Sequence, residues 1–457
     1  MIRRSVFSIL LLGFLSAVNL QCRQNKSVMD DAAQQAELLH HAQNRLTEII
    51  VSDIFSPPVA SRIYAYCGLA ASEVIKNVDS EKYPSIVPTL SGFESIPNPE
   101  KDEAINFQLA SVHAFLEVAK KLVFSSDSVA DYEQTVQQKF IRAGLSEQVY
   151  ENSLAYGDAV VAVIMKRAAT DMYKETRGYP RYTVTKKSGM WRPTAPEYMD
   201  AVEPWFGKLK PFILDSSSIF QASGPYTFSL DKNSQYYKDL EEVITIGNNL
   251  TESQKIIASF WDCNPYVGHH KGHLMYATKK ITPGGHWIGI AGIACRTKKL
   301  DMAEASRVYA WLGVTLFDSF VSCWDEKYKR GTVRPETVIN DHIDDNWKPF
   351  LQCPPFPDYP SGHSVLSAAS ALVLTRLIGD NFSFIDSVEI PYGIPARQFK
   401  SFKAAAQEAM ISRLYGGIHF RKACEDGFKE GTEVGSLVVQ KINSINHPDR
   451  KQQVAGR

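Results

Sequence analysis

Pro354-Pro355-Phe356-Pro357-Asp358-Tyr359-Pro360-Ser361-Gly362-His363, running straight into residues 364–377, is the stretch that decides the fold. Its prolines remove backbone donors and push their predecessors out of the α region, so the chain up to Pro360 is not helical. Residues 364–377 are rich in Ala, Leu and Val and predict a buried helix. Ser361 stands where an N-cap belongs, and its immediate neighbours fit that position as well. At such a start, unpaired N–H groups point outward and the helix dipole favours negative charge. Gly362 puts no side chain between an anion and the backbone. Taken alone, the same residues also describe an ordinary capped helix with a surface histidine.

Two further stretches flank it. Upstream lies Lys327-x6-Arg334-Pro335, inside the basic run Lys327-Tyr-Lys-Arg330, which by itself reads as a solvated face. Downstream, Ser412-Arg413-Leu-Tyr-Gly416-Gly417-Ile-His419 closes a helix beginning near Pro395, with Gly416-Gly417 as its stop or kink. Arg413 in the last turn and His419 just beyond it are then placed to enter one cavity from two directions. An arginine fork matches two oxygens at once, whereas lysine delivers a mobile point charge. The ordered set therefore supplies a lysine, two arginines, a serine, an open glycine backbone and two histidines. That is an inventory for holding a tetrahedral oxyanion.

In their order and spacing these motifs resemble the active-site signature of the type-2 phosphatidic-acid phosphatase and vanadium haloperoxidase superfamily. The match runs from about Asp325 to Asp426. Trp324-Asp325 beside Lys327, Phe356 before the glycine-histidine turn, Phe260-Trp261-Asp-Cys-Asn-Pro-Tyr266 and Gly285-His286-Trp287 resemble the bacterial vanadium-dependent haloperoxidases in particular. The resemblance implies a compact all-α bundle and a vanadate cofactor bonded to His419. Lys327, Arg334, Ser361, the Gly362 amide and Arg413 would hold its oxygens, with His363 as acid–base and Lys327 polarising peroxide. Hydrogen peroxide and a halide, iodide or bromide, are the implied substrates, with Trp324, Asp325, Phe356 and Tyr266 lining the pocket. A second function uses the same residues: a soluble acid phosphatase in which His419 attacks a phosphate monoester and His363 protonates the leaving oxygen. A third is an inactive oxyanion-binding lipoprotein. One position departs from the signature. The superfamily carries an aspartate four residues after the second histidine to orient its ring; here that position is Ala423, leaving Glu425, Asp426 or a backbone carbonyl as the expected partner.

The remainder of the chain is expected to be mostly helical, over residues 30–54, 57–78, 104–123, 146–174, 234–246, 253–261, 302–321, 364–377, 399–413 and 422–442. Residues 177–230 are rich in Gly, Pro and aromatics without a period, and read as an ordered irregular insertion. The organisation is thus a segment 1–22, a helical region 23–250 carrying the insertion, an oxyanion-site region 251–445 and a polar tail 446–457. Lys and Arg total 50, as do Asp and Glu, so the formal charge is zero and no basic field draws nucleic acid.

Arg3-Arg4 followed by the apolar run 6–18 reads as an export signal, too short to span a membrane. Cys22 then resembles a lipid-modified cysteine, which predicts an exported, periplasmic or secreted protein with a possible membrane tether. The other cysteines fit no zinc spacing and are expected free and buried. His269, His270 and His273 lack an accompanying carboxylate or cysteine. Among Gly268, Lys271 and Gly272 they suggest a mobile loop with a structural or pocket-lining role.

Overall fold

A computed structural model describes residues 32–446, apart from 186, 196, 221, 222 and 272. The segment ending at Cys22 and the tail beyond 446 lie outside the described residues. The fold is helical, as the patterning predicts. The first half comprises α1 (Ala32–Ser52), α2 (Pro57–Ile75), α3 (Phe107–Leu122), α4 (Ser126–Arg142), α5 (Glu147–Ala168), the short α6 (Tyr173–Thr176), α7 (Gln235–Asn248) and α8 (Glu252–Phe260). The second half holds α9 (Pro283–Lys298), α10 (Met302–Arg330), α11 (Pro335–His342), α12 (Gly362–Ile378), α13 (Phe402–Tyr415) and α14 (Arg421–Asn446). Strands among the described residues form two antiparallel pairs, β1 (Tyr266–Lys271) with β2 (Leu274–Lys279) and β3 (Phe384–Asp386) with β4 (Arg397–Phe399). No helix among the described residues is long and apolar enough to cross a membrane.

α10 is the axis of the molecule. An Asp301–Glu304 capping box starts it and Gly331, in the left-handed region at φ 60°, stops it. It lies against α2 through reciprocal small residues: a Cβ on Gly313 would meet Ala65 Cα at 2.8 Å, and one on Gly68 would meet Ala310 Cα at 3.1 Å. α12 and α14 approach as closely. Gly427, Gly431 and Gly435, spaced four apart on α14, face Ser361, Val365 and Ala369 of α12. That stripe presses the N-terminus of α12 onto the helix following His419. One continuous apolar core runs from α1 through α10 to α14, so the two halves of the chain share a single interior.

Several elements depart from the patterning. α10 continues past 321 to Arg330 because Cys323, Trp324 and Lys327 extend its buried face through a polar sequence. α9 carries four glycines, poor helix formers, yet Gly285 and Gly289 allow Tyr64 and Val388 to pack where a Cβ would clash. α4 and α11 were not expected. α4 is mostly polar outside a narrow seam of Val129, Val136 and Phe140. The hairpin of β1 and β2 stands where a mobile loop around 268–273 was expected. Residues 177–230, among those described, carry one 3-10 turn and a single β-bridge from Met190 to Thr332, and are anchored from outside. Fully buried Asp318 of α10 accepts hydrogen bonds from the amides of Phe212, Ile213 and Leu214, at 2.7, 2.7 and 3.1 Å.

Candidate active site

Four helix ends converge on one site. Lys327 comes from the last turn of α10, Arg334 caps the start of α11, and Ser361 caps α12, its hydroxyl accepting from the Ser364 amide. Arg413 sits in the last turn of α13. Gly417 at φ 73° then turns the chain so that His419 re-enters before α14; a side chain there would be strained and would crowd Pro349. All these residues are buried except His363, which is partly open to the cavity. A Cβ on Gly362 would meet the Trp324 ring at 3.3 Å, so this backbone is approached closely from the side as well.

Hydrogen bonds fix each group. Arg334 donates from Nε to the Phe356 carbonyl (2.9 Å) and from Nη1 to the Ile418 carbonyl (2.7 Å). The same Nη1 lies 3.1 Å from His419 Nε2. Arg413 Nη1 lies 3.1 Å from His363 Nε2. Lys327 Nζ donates to the carbonyls of Pro357, Asp358 and Pro360, so it clasps the proline loop itself. Arg334 Nη2 and Arg413 Nε and Nη2 are buried with no protein partner. Each such orphan costs about 1–3 kcal/mol, more when charged. These unpaired cationic donors, gathered around His419, are what an oxyanion would satisfy.

The expectation for Ala423 is corrected. His419 Nδ1 lies 2.8 Å from Asp358 Oδ1, so Asp358 orients the ring from the proline loop, sixty-one positions away in sequence. Asp426 instead accepts from Tyr359, Ser223 and Lys422, and Glu425 pairs loosely with Arg421. Ala423 contributes its carbonyl, which accepts from the Ser361 amide at 2.9 Å, and its small side chain shares a cleft with Asp358. Because Arg334 is a donor only, His419 Nε2 must accept and Nδ1 must carry the proton toward Asp358. Asp358 was legible as a signal: an acid inside an apolar proline-rich loop is buried only with partners.

Protonation follows from burial and neighbours. Burial, reinforced by Arg334, Lys327 and Arg413, holds His419 far below the ordinary imidazole range. Burial and Arg413 do the same to His363. Both rings are therefore neutral bases near pH 7. Burial also lowers Lys327 to about 8 and raises Asp358 to about 7, the latter opposed by Arg334 and Lys327.

The cavity has a volume of about 140 Å³, roughly ten times what one water needs. Trp324, Phe356 and Tyr266 line it, as do His363, Arg413 and His419. Asp325 does not, contrary to the resemblance. It follows Trp324 by one residue on α10, which turns it to another face, where it pairs with Lys208 at 3.3 Å. Ile54, Ser56, Pro57, Met199 and Val202, from the first half of the chain, complete the wall and were not anticipated. Phe356 lies under both cations, 5.2 Å from Lys327 Nζ and 5.0 Å from Arg334 Cζ at its ring centroid. On the hairpin, His269 bonds Thr278 at 3.0 Å and His273 is exposed.

The family model for the VCPO second helical-bundle domain matches residues 307–448, which contain every residue of the cradle. Nothing among curated protein sequences matches the chain. Among solved structures, one described as the first bacterial vanadium-dependent iodoperoxidase is 46% identical, with a TM-score of 0.84, covering 89% of this chain and 96% of that one. The holo form of a bacterial vanadium-dependent chloroperoxidase is 18% identical (TM-score 0.65; 86% of this chain, 93% of that one), and an apo form is 16% identical (0.62; 85% and 94%). The chloroperoxidase likeness is one of fold.

Proposed function

The chain belongs to the vanadium-dependent haloperoxidases, a family of enzymes, and from that premise we propose that it oxidises iodide, and with it or next to it bromide, using hydrogen peroxide and a vanadate held on His419. The observation that carries this reading is the set of unpaired buried guanidinium donors of Arg334 and Arg413 beside His419, whose Nε2 directs its lone pair toward Arg334. Vanadate fits this donor set: His419 Nε2 would bond the metal, while Arg334, Arg413, Ser361 and the Gly362 amide would hold the oxygens. When bound, it supplies a Lewis acid that activates peroxide for two-electron attack by halide without itself changing oxidation state.

The protein's own part is positioning and proton handling. Asp358 keeps the proton of His419 on Nδ1 and leaves Nε2 with its lone pair. His363, neutral and facing the cavity, takes a proton from the incoming peroxide and returns it to the leaving oxygen. Lys327 fixes the proline loop and presents a positive charge beneath the cradle. Phe356, Trp324, Met199 and Val202 make the halide approach apolar. Iodide, the largest and most weakly hydrated of the halides considered, loses least on entering such a wall.

The test is direct. Metal-stripped protein is incubated with orthovanadate and assayed for iodide and bromide oxidation by peroxide, beside hydrolysis of a chromogenic phosphate ester. Vanadate-dependent oxidation that phosphate suppresses is the expected result. Ester hydrolysis inhibited by vanadate, with no oxidation, would replace this reading by the phosphatase, and silence in both by a binding protein. We further propose export through residues 1–22, with lipid on Cys22; fatty-acid labelling lost in Cys22→Ala is the expected result, and unlabelled native protein would refute the anchor.

A further inference from the structure

Beside the catalytic cavity, but outside the cradle, lies a second buried cluster. Cys263 follows α8 and lines the cavity wall; His286 sits in the first turns of α9; Glu389 follows β3. His286 Nδ1 lies 3.1 Å from Glu389 Oε1 and 3.4 Å from Cys263 Sγ, and Sγ lies 3.7 Å from the same Oε1. The remaining ring nitrogen, Nε2, lies 2.8 Å from Asp386 Oδ2. The ring is clamped flat against Trp261, with centroids 4.7 Å apart, and Phe260 abuts it. His286 and Asp386 are fully inaccessible, and Cys263 and Glu389 nearly so.

We propose that Cys263, His286 and Glu389 bind a divalent zinc-like cation, with the fourth position open toward the catalytic cavity. Three observations support this. First, the donor set is a thiol, an imidazole and a carboxylate, a combination suited to a borderline-soft ion. Second, zinc at its usual bond lengths and tetrahedral angles sets its ligand atoms about 3.3–3.6 Å apart, and the three separations here bracket that range. Third, Asp386 occupies the nitrogen of His286 that faces away from the cluster, which is how a carboxylate orients a metal-ligating histidine. Cys263 borders the cavity, which gives the ion an entry path. Binding exchanges two protons, from the Cys263 thiol and His286 Nδ1, for a doubly charged cation, so the cluster's net charge is unchanged.

The site would tie three distant segments into one wall. Its loop carries Trp261, whose ring stacks on His286, so the cation would stiffen the wall beside the proposed acid–base. It would also hold the Cys263 sulfur as a coordinated thiolate where oxidant is made. The site shares no ligand with the vanadate cradle, and its test does not depend on turnover.

Tag-free full-length protein, stripped by a chelator and left without vanadate, is titrated with zinc and separately with cobalt. One tightly bound zinc per chain is expected, along with a cobalt spectrum carrying a sulfur charge-transfer band in the near ultraviolet. Cys263→Ala should lose that band, and Cys263→Ala and Glu389→Gln should each weaken zinc roughly 100-fold. No stoichiometric uptake by the native chain, a cobalt spectrum without the sulfur band, or equal affinity in Cys263→Ala would overturn the site. The spectrum of the native chain decides the matter even where a variant fails to fold. Zinc retained in Cys263→Ala would trace the uptake to other residues, such as the hairpin histidines.

Discussion

Two of the buried histidine–carboxylate pairs among the described residues, His419–Asp358 and His286–Asp386, are held in opposite states. His419 is bonded to Asp358 but is surrounded by Arg334, Lys327 and Arg413, and these cations add to burial in keeping the ring neutral. His286 is bonded to Asp386 and Glu389, and against burial Asp386, together with Cys263, holds it well above the ordinary imidazole range. Residue type, burial and the first hydrogen bond are alike in the two places. The sign of the surrounding charge makes one ring a neutral lone-pair donor and the other a cation, or a ligand once a cation replaces its proton. The contrast separates a site built to receive an anion from one built to receive a positive charge.

Removing the lone pair tests the first half of that contrast most severely. His419→Ala should abolish vanadate binding and turnover together; retained vanadate affinity, measured by equilibrium dialysis, would break the assignment. His363→Ala should keep the oxyanion bound yet lose roughly 10²–10⁴-fold in turnover, and full activity in that variant would remove its proton role. Asp358→Asn leaves His419 in place but lets its tautomer drift, so vanadate affinity should fall roughly 10–100-fold. An unchanged affinity with an unchanged pH profile would reduce Asp358 to a packing residue.

A smaller effect is carried by pH. Lys327 in the free enzyme is charged below about 8 and neutral above it, so oxyanion affinity should fall as pH rises through that value. A bound anion favours the charged amine and shifts the fall upward. Lys327→Gln should flatten the dependence, and a slope that survives would place it elsewhere. Smallest on the oxyanion side is His286→Gln, which should leave vanadate affinity within a few-fold. In chelator it should nonetheless cost roughly 3–5 kcal/mol of folding stability, because Asp386 and Glu389 lose their shared partner. Denaturant unfolding measures this, and a loss of vanadate binding without a loss of stability would erase the distinction between the two pairs.

The amino-acid sequence by itself determined the helical class, the capped start of α12 at Ser361 and the stop at Gly416-Gly417. It also supplied the inventory of Lys327, Arg334, His363, Arg413 and His419, because caps, periodicity and signature spacing are local properties. The four-residue glycine repeat of α14 was there to be read as well. Only the tertiary structure decided that Asp358 rather than Asp426 holds His419, and that Asp325 turns away from the cavity. It alone brought Ile54, Met199 and Val202 from the first half of the chain to the wall, and assembled Cys263, His286, Asp386 and Glu389 across three segments. The physical reason is that a partner is chosen by distance in space. A buried polar atom must find whichever complementary group the packed helices bring within about 3 Å, and no period in the sequence encodes that meeting.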